Sequence, residues 1–179
     1  MPPDVRQDNE LIEEDIRFAN RMVARMGPLI IKSVVDRSKA INSALACIAP
    51  TVSICDANIP WIALEQLFNA TLGSEIGPAR ATKILHKKRP KLIPILDSVV
   101  VSYCTVACGD DLQHKDTASS MIAYVKMIKD DINKNLDVLE SAIQTNGLKL
   151  TVVRAFDMLL WAYSGAYMTT FGRPPVWQR

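Results

Sequence analysis

A chain of 179 residues, 49% hydrophobic and 22% charged, has the size and composition of one folded domain with a sizeable core, which excludes a disordered polymer. A net charge of only +2 argues against general electrostatic adhesion and directs attention to where the charges lie. The start, MPPDVRQDNELIEED, has neither a basic nor an apolar leader region, and no window reaches about 18 apolar residues, so a cytoplasmic protein without a membrane partner is expected.

Residues 1–9 are expected to be disordered, residues 10–170 to form a single α-helical domain, and residues 171–179 to be an irregular tail. A first helix is predicted from Glu10 to Met26, with Ile12, Ile16, Ala19, Val23 and Met26 on one stripe, and Gly27-Pro28 breaks it. Leu29 to Ile48 repeats the helical period until Pro50, and Ser53 to Asn58 reads as a loop. Pro60 suits the first turn of a helix over Trp61 to Leu72, which Gly73 terminates. The Ile76-Gly77-Pro78 turn opens a helix to about Lys88, after which Arg89-Pro90 to Pro94 is expected to be extended, because residues before proline avoid the α region.

Asp97 is placed to cap a helix through Val99, Tyr103, Cys104 and Ala107. The run VVVSY is β-prone, but no partner strands are evident, so helix is preferred. Gly109-Asp110-Asp111 reads as a turn; Asp116 or Thr117 opens a long helix to about Gln144, closed by Asn146-Gly147; Thr151 caps the last helix. The expected architecture is all-α, a single-domain helical bundle. Cys47, Cys55, Cys104 and Cys108 contain no CxxC pair and read as core thiols, so neither a metal site nor a cofactor is expected.

The centre of the chain concentrates charge. From Gly77 to Leu96 there is no acidic residue, while Arg80, Lys83, Lys87, Lys88, Arg89 and Lys91 are cationic. Such a run repels itself unless water or an anion screens it, so it is either a solvated face or a phosphate-binding surface. A glycine turn at a helix N-terminus points backbone N–H groups outward, where the helix dipole favours an anion. On that reading Gly77 and Ala79 present the backbone to a phosphate of duplex DNA, the six cations neutralise its neighbours, and His86 touches phosphate beside them.

The stretch EIGPARATKILHKKRPKLIPILDSVVV resembles the hairpin and following helix of the helix-hairpin-helix base-excision DNA glycosylases, over roughly Pro60 to Cys108. The resemblance places that family's second hairpin glycine on Gly77, its alanine on Ala81 and its catalytic aspartate on Asp97. Its first hairpin glycine is Glu75 here, which sets a negative charge beside the phosphate site. The lysine that bifunctional members use as nucleophile falls on Ala79, and the cysteine spacing does not match the family's iron–sulfur run. The resemblance therefore implies monofunctional hydrolysis of an N-glycosidic bond in damaged or modified DNA. By residue type and spacing, Trp61, Tyr103, Arg154 and Asp157 are candidates for a pocket beside Asp97.

Arg154 and Asp157, three apart on the last helix, are placed to pair, and Trp161 reads as core. Two other readings stay open: a non-catalytic DNA-binding helix-hairpin-helix module, in which Asp97 is only a cap, and a helical interaction domain whose basic helix meets an acidic partner, including the acidic N-terminus of a second copy. Over nearly its full length the chain is also similar to a small bacterial family known only as a domain of unknown function, through HKKRPKLIPILDSVV and VVRAFDMLLW.

Overall fold

Apolar residues recurring at helical spacing need partners, and in this chain they find them in other helices. The computed structural model describes residues 9–108 and 117–171, with the side chains of 107–108 and 165–171 left aside. Expectations for the N-terminal segment 1–8, for Gly109-Asp110-Asp111 and His114, for the side chain of Cys108 and for the tail 172–179 lie outside the described residues. Within them the protein is all-α and single-domain: α1 Glu13–Arg21, α2 Pro28–Asp36, α3 Ser38–Ala46, α4 Trp61–Thr71, α5 Pro78–Lys88, α6 Ser98–Cys108, α7 Ala118–Lys134, α8 Leu136–Thr145 and α9 Val152–Phe171. VVVSY is helical, lying inside α6. No helix among the described residues is long and apolar enough to cross a membrane.

The caps behave as expected. Pro28 and Pro78 occupy first turns, where a missing N–H costs nothing. Thr117 accepts the Ser120 N–H and Thr151 accepts the Arg154 N–H, both at 3.2 Å. Between α4 and α5 the chain reverses in a tight turn, with Gly73 and Ile76 exchanging backbone hydrogen bonds of 3.1 and 3.0 Å and the Ile76 side chain fully buried.

Three predicted helices end early, each through a polar side chain or a tighter turn. The first stops at Arg21 rather than Met26 because the Asn20 amide folds the chain back, accepting the Met26 N–H at 2.8 Å and donating to its carbonyl at 3.1 Å. Val23 and Arg25 in that loop adopt left-handed φ of 61° and 52°. The second divides at Arg37, whose N–H bonds Val34 at 3.2 Å in a tighter turn. The long helix divides at Asn135, which leaves helical geometry and donates its side-chain amide to the Asp131 carbonyl at 2.8 Å. Arg89 to Leu92 is instead a turn, with Leu92 and Ile93 N–H both reaching the Arg89 carbonyl, and Ile93 to Asp97 follows as irregular chain.

The core runs through Ile41, Leu45, Leu64, Leu67, Phe68, Ile84, Leu85, Met121 and Val125, all fully buried. Helix α1 packs on α5, α2 to α4 pack in sequence with α4 against α7, and α6 to α9 pack on one another, with α9 against α6 and α8. Of the cysteines expected in the core, Cys104 is buried, Cys55 is partly exposed and Cys47 is exposed.

The basic run corrects the sequence reading most. Lys88 is buried with its Nζ 2.7 Å from Asp15, and Lys87 reaches the same fully buried carboxylate at 3.0 Å. Arg89 is fully buried: its guanidinium donates to the carbonyls of Ile48, Leu45 and Lys88 and to Asn9 Oδ1, at 2.6 to 2.9 Å. The Leu45 carbonyl lies near the C-terminal end of α3, where unpaired carbonyls and the helix dipole attract a cation. Lys87, Lys88 and Arg89 thus form neither a solvated face nor a phosphate surface, and the acidic partner of the two lysines is α1 of the same chain, whereas Lys91 is exposed.

Removing one member of a buried ion pair costs about 3–5 kcal/mol, because the other is left uncompensated. Asp15→Ala is therefore expected to lower the urea-unfolding free energy by about that amount, whereas Glu13→Ala, in an exposed pair, changes it by less than about 1 kcal/mol. Adding Lys88→Met to Asp15→Ala should recover much of the loss.

Candidate functional site

The connector from Arg89 to Asp97 is apolar and buried from Leu92 to Leu96, and it is fixed from α5, from the loop before α4 and from the start of α9. Thr151 Oγ1 donates to the Pro90 carbonyl at 3.0 Å, and the Lys91 carbonyl accepts the Ile54 N–H at 2.8 Å. His86 Nδ1 lies 2.7 Å from the Ile93 carbonyl, which has no proton to give, so Nδ1 carries the hydrogen. Thr82 Oγ1 accepts the Leu96 N–H at 3.0 Å while donating to Pro78. His86 is therefore a buried strut rather than an exposed phosphate contact; burial holds its imidazole below the ordinary range, with the Ile93 hydrogen bond acting the other way.

These bonds deliver Asp97 to the head of α6. Its Oδ1 accepts the Val99 and Val100 N–H groups at 3.1 and 3.2 Å, the expected N-cap. Its Oδ2 accepts the indole Nε1–H of Trp161 at 2.9 Å. The half-buried carboxylate lines a cleft of about 810 Å³. The walls come from Arg21 at the end of α1, Val23 and Arg25 in the loop after it, Lys83 on α5, and Arg154, Met158 and Trp161 on α9. Four cations thus line the cleft that holds this carboxylate, Arg21 and Arg154 being paired with Glu14 and Asp157. Trp161, expected in the core, is 50% exposed, because on α9 it falls on the cleft-facing stripe with Arg154 and Met158.

A second groove of about 390 Å³ shares Val23, Arg25, Lys83 and Ser98 with the cleft and extends to the α5 N-terminus at Gly77, Pro78, Ala79 and Arg80. The candidate phosphate-binding residues therefore divide. Gly77, Ala79, Arg80 and Lys83 line this continuous surface, whereas Lys87, Lys88, Arg89 and Lys91 do not. Arg80 also braces it, donating to the Ala24 carbonyl at 3.1 Å and the Glu75 carbonyl at 2.8 Å. Glu75 is exposed and lines a neighbouring cavity, not this groove.

The pocket candidates divide too. Arg154 lines the cleft and pairs with Asp157, as their spacing implied. Trp61 lies under Lys126 Nζ, 5.2 Å from its ring, away from the cleft. Tyr103 packs edge-on against Phe156 and donates to Asp131 at 2.6 Å; burial first, and then Asp131, hold its phenol well above the ordinary range. Among the cleft residues that sequence reasoning did not assign to the site are Arg21, Val23, Arg25 and Met158. The turn carrying Val23 and Arg25 follows from the Asn20 side chain, which leaves no periodic trace.

Asp157 is 3% exposed, and burial pushes its carboxyl from 3.8 up to about 6; Arg154 and Lys83 oppose this shift, and the nearby Asp97 adds to it. The native state therefore holds this proton more tightly than the unfolded chain. The resulting stability is fully present below about pH 3.8 and is lost as pH rises through about 6. Asp157→Asn is expected to raise the unfolding free energy near pH 7 by up to about 3 kcal/mol, with no gain near pH 4, as read from urea denaturation at the two pH values.

No curated protein matches the chain, and no solved structure does. Residues 18–164 match DUF6308, described as a family of unknown function. That match spans most of the chain, which therefore belongs to DUF6308.

Proposed function

We propose that this protein is a monofunctional DNA-glycosylase-like hydrolase that acts on a damaged or modified base, with Asp97 as its catalytic carboxylate. The observation that carries the reading is the position of Asp97: a fixed carboxylate at an open cleft lined by Arg21, Arg25, Lys83 and Arg154. Cations suit the phosphates of a strand, and the groove toward Gly77 and Ala79 continues that surface. A base must leave the duplex stack to react, and the half-exposed Trp161 ring offers it a stacking face.

The chemistry then follows from charge. As the C1′–N bond breaks, its electron pair leaves with the base and the sugar becomes an oxocarbenium cation. Asp97 stabilises that cation electrostatically and orients a water for attack at C1′; the water's proton passes to the carboxylate or solvent, and the departing base takes up a proton. Three N–H donors hold Asp97 in place, so little reorganisation accompanies the developing charge. With Ala79 at the position of the nucleophilic lysine, hydrolysis rather than lyase chemistry is the expected outcome.

The second reading, a binding module without chemistry, draws support from the same cap: Val99 and Val100 give Asp97 a sufficient structural role. Excision over a panel of lesion-bearing duplexes separates the two. Asp97→Asn should lower excision by about 10²-fold or more and spare binding; equal activity would falsify the catalytic assignment. Trp161→Phe keeps the ring but removes the N–H, so kcat should fall about tenfold with duplex affinity retained.

The salt dependence of duplex binding checks the cation set. Arg25→Ala should reduce the slope of log affinity against log salt by about 1, and Lys91→Ala, exposed but off the cleft, should leave it unchanged. The reverse pattern would return the phosphate surface to the α5 C-terminus.

A further inference from the structure

Beneath the cleft, Asp157 combines features that its pairing with Arg154 does not account for. It is almost fully buried and one of its oxygens meets Arg154 Nη1, while the other, Oδ1, is buried with no hydrogen-bond partner among the described residues. An unsatisfied oxygen on a buried carboxylate costs stability, and a neutral residue would avoid the cost. Arg154 also belongs to two places at once: its guanidinium holds Asp157, yet its partly exposed side chain is in the cleft wall. Any anion drawn to Arg154 from the cleft competes with Asp157 for the same charge.

We infer that Asp157 is a positioning residue whose protonation is coupled, through Arg154, to binding of a phosphate-bearing strand in the cleft. With Asp157 ionised, Arg154 is neutralised against its own helix. When Asp157 takes up a proton, Arg154 loses its counter-charge and the cleft gains a full cation; when a strand binds, the added negative charge drives the proton on. The two effects are one coupling seen from either side.

The charged groups facing Asp157 act in keeping with this. Arg154 on α9 and Lys83 on α5 favour the carboxylate, and Asp97 at the head of α6 opposes it. Engaging Lys83 and Arg154 with phosphates removes the favourable influence and leaves Asp97 and burial to promote protonation. His86 on α5 feels Arg154 as well, but it is committed to the Ile93 carbonyl and its imidazole is held low. It therefore serves as the control position. The inference rests on reading the cleft as the strand-binding surface, and it names a linkage that such a reading does not require.

The test is calorimetric titration of the full chain with a short DNA duplex carrying an abasic-site analogue, in buffers of different ionisation enthalpy. The wild type is expected to take up a substantial fraction of one proton on binding near pH 7, and to bind about fivefold more tightly near pH 6 than near pH 8. Asp157→Asn should bind at both pH values with the tighter affinity and no proton uptake. Arg154→Gln, which needs no buried charge to be re-paired if Asp157 is protonated, should bind weakly and lose the pH response. His86→Gln should keep both proton uptake and the pH response. Duplex binding with the same uptake in wild type and Asp157→Asn, or uptake lost in His86→Gln alone, would overturn the coupling and leave the cleft reading standing. An absence of duplex binding at both pH values would overturn the two together.

Discussion

A guanidinium and an ammonium group buried at the C-terminal end of α5 hold the N-terminal half of this molecule together. Withdrawing such charges from water costs several kcal/mol each, so they persist only where counter-charges and carbonyls surround them. Here Asp15 of α1 answers Lys88, and the carbonyls of Leu45 and Ile48 answer Arg89. These contacts fix α1 and α3 against α5. They also fix where the chain leaves α5, and hence the start of the connector that carries Asp97. The loop after α1, held by Asn20, Arg80 and Lys83, reaches the cleft because α1 is anchored on this helix.

The same arrangement changes the electrostatic argument for function. A run of cations in sequence suggests a surface, but on a helix its members point in different directions. Lys87 and Lys88 turn to α1, Arg89 to α3, and only Arg80 and Lys83 face the groove. The cleft draws its remaining positive charge from Arg21, Arg25 and Arg154, which are distant in sequence and isolated from any basic motif. Positive charge around Asp97 is therefore a property of the fold more than of the HKKR stretch.

Much of the helical framework was legible because it depends on local chemistry: apolar spacing, prolines in first turns, and hydroxyls at Thr117 and Thr151. Where helices divided, at Asn20, Arg37 and Asn135, the deciding interactions were a side-chain amide competing with the backbone or a tightened turn, neither of which leaves a periodic trace. Asp97 and the Arg154–Asp157 pair were legible from spacing and cap chemistry. The link from Asp97 to Trp161 was not, since it joins residues 64 apart whose meeting depends on how α9 packs on α6. Trp61 and Tyr103 fitted a pocket by residue type, but their helices turn them toward Lys126 and Asp131 instead.

On the function proposed above, a DNA strand enters the cleft where Trp161 holds Asp97. Indole N–H resonances of the three tryptophans, followed by NMR during titration with an abasic-site duplex, test it most directly. The Trp161 signal should shift strongly, because its N–H donates to the Asp97 carboxylate inside the cleft, while that of Trp61 beneath Lys126 stays in place. Duplex binding that moves Trp61 and leaves Trp161 unchanged would contradict it.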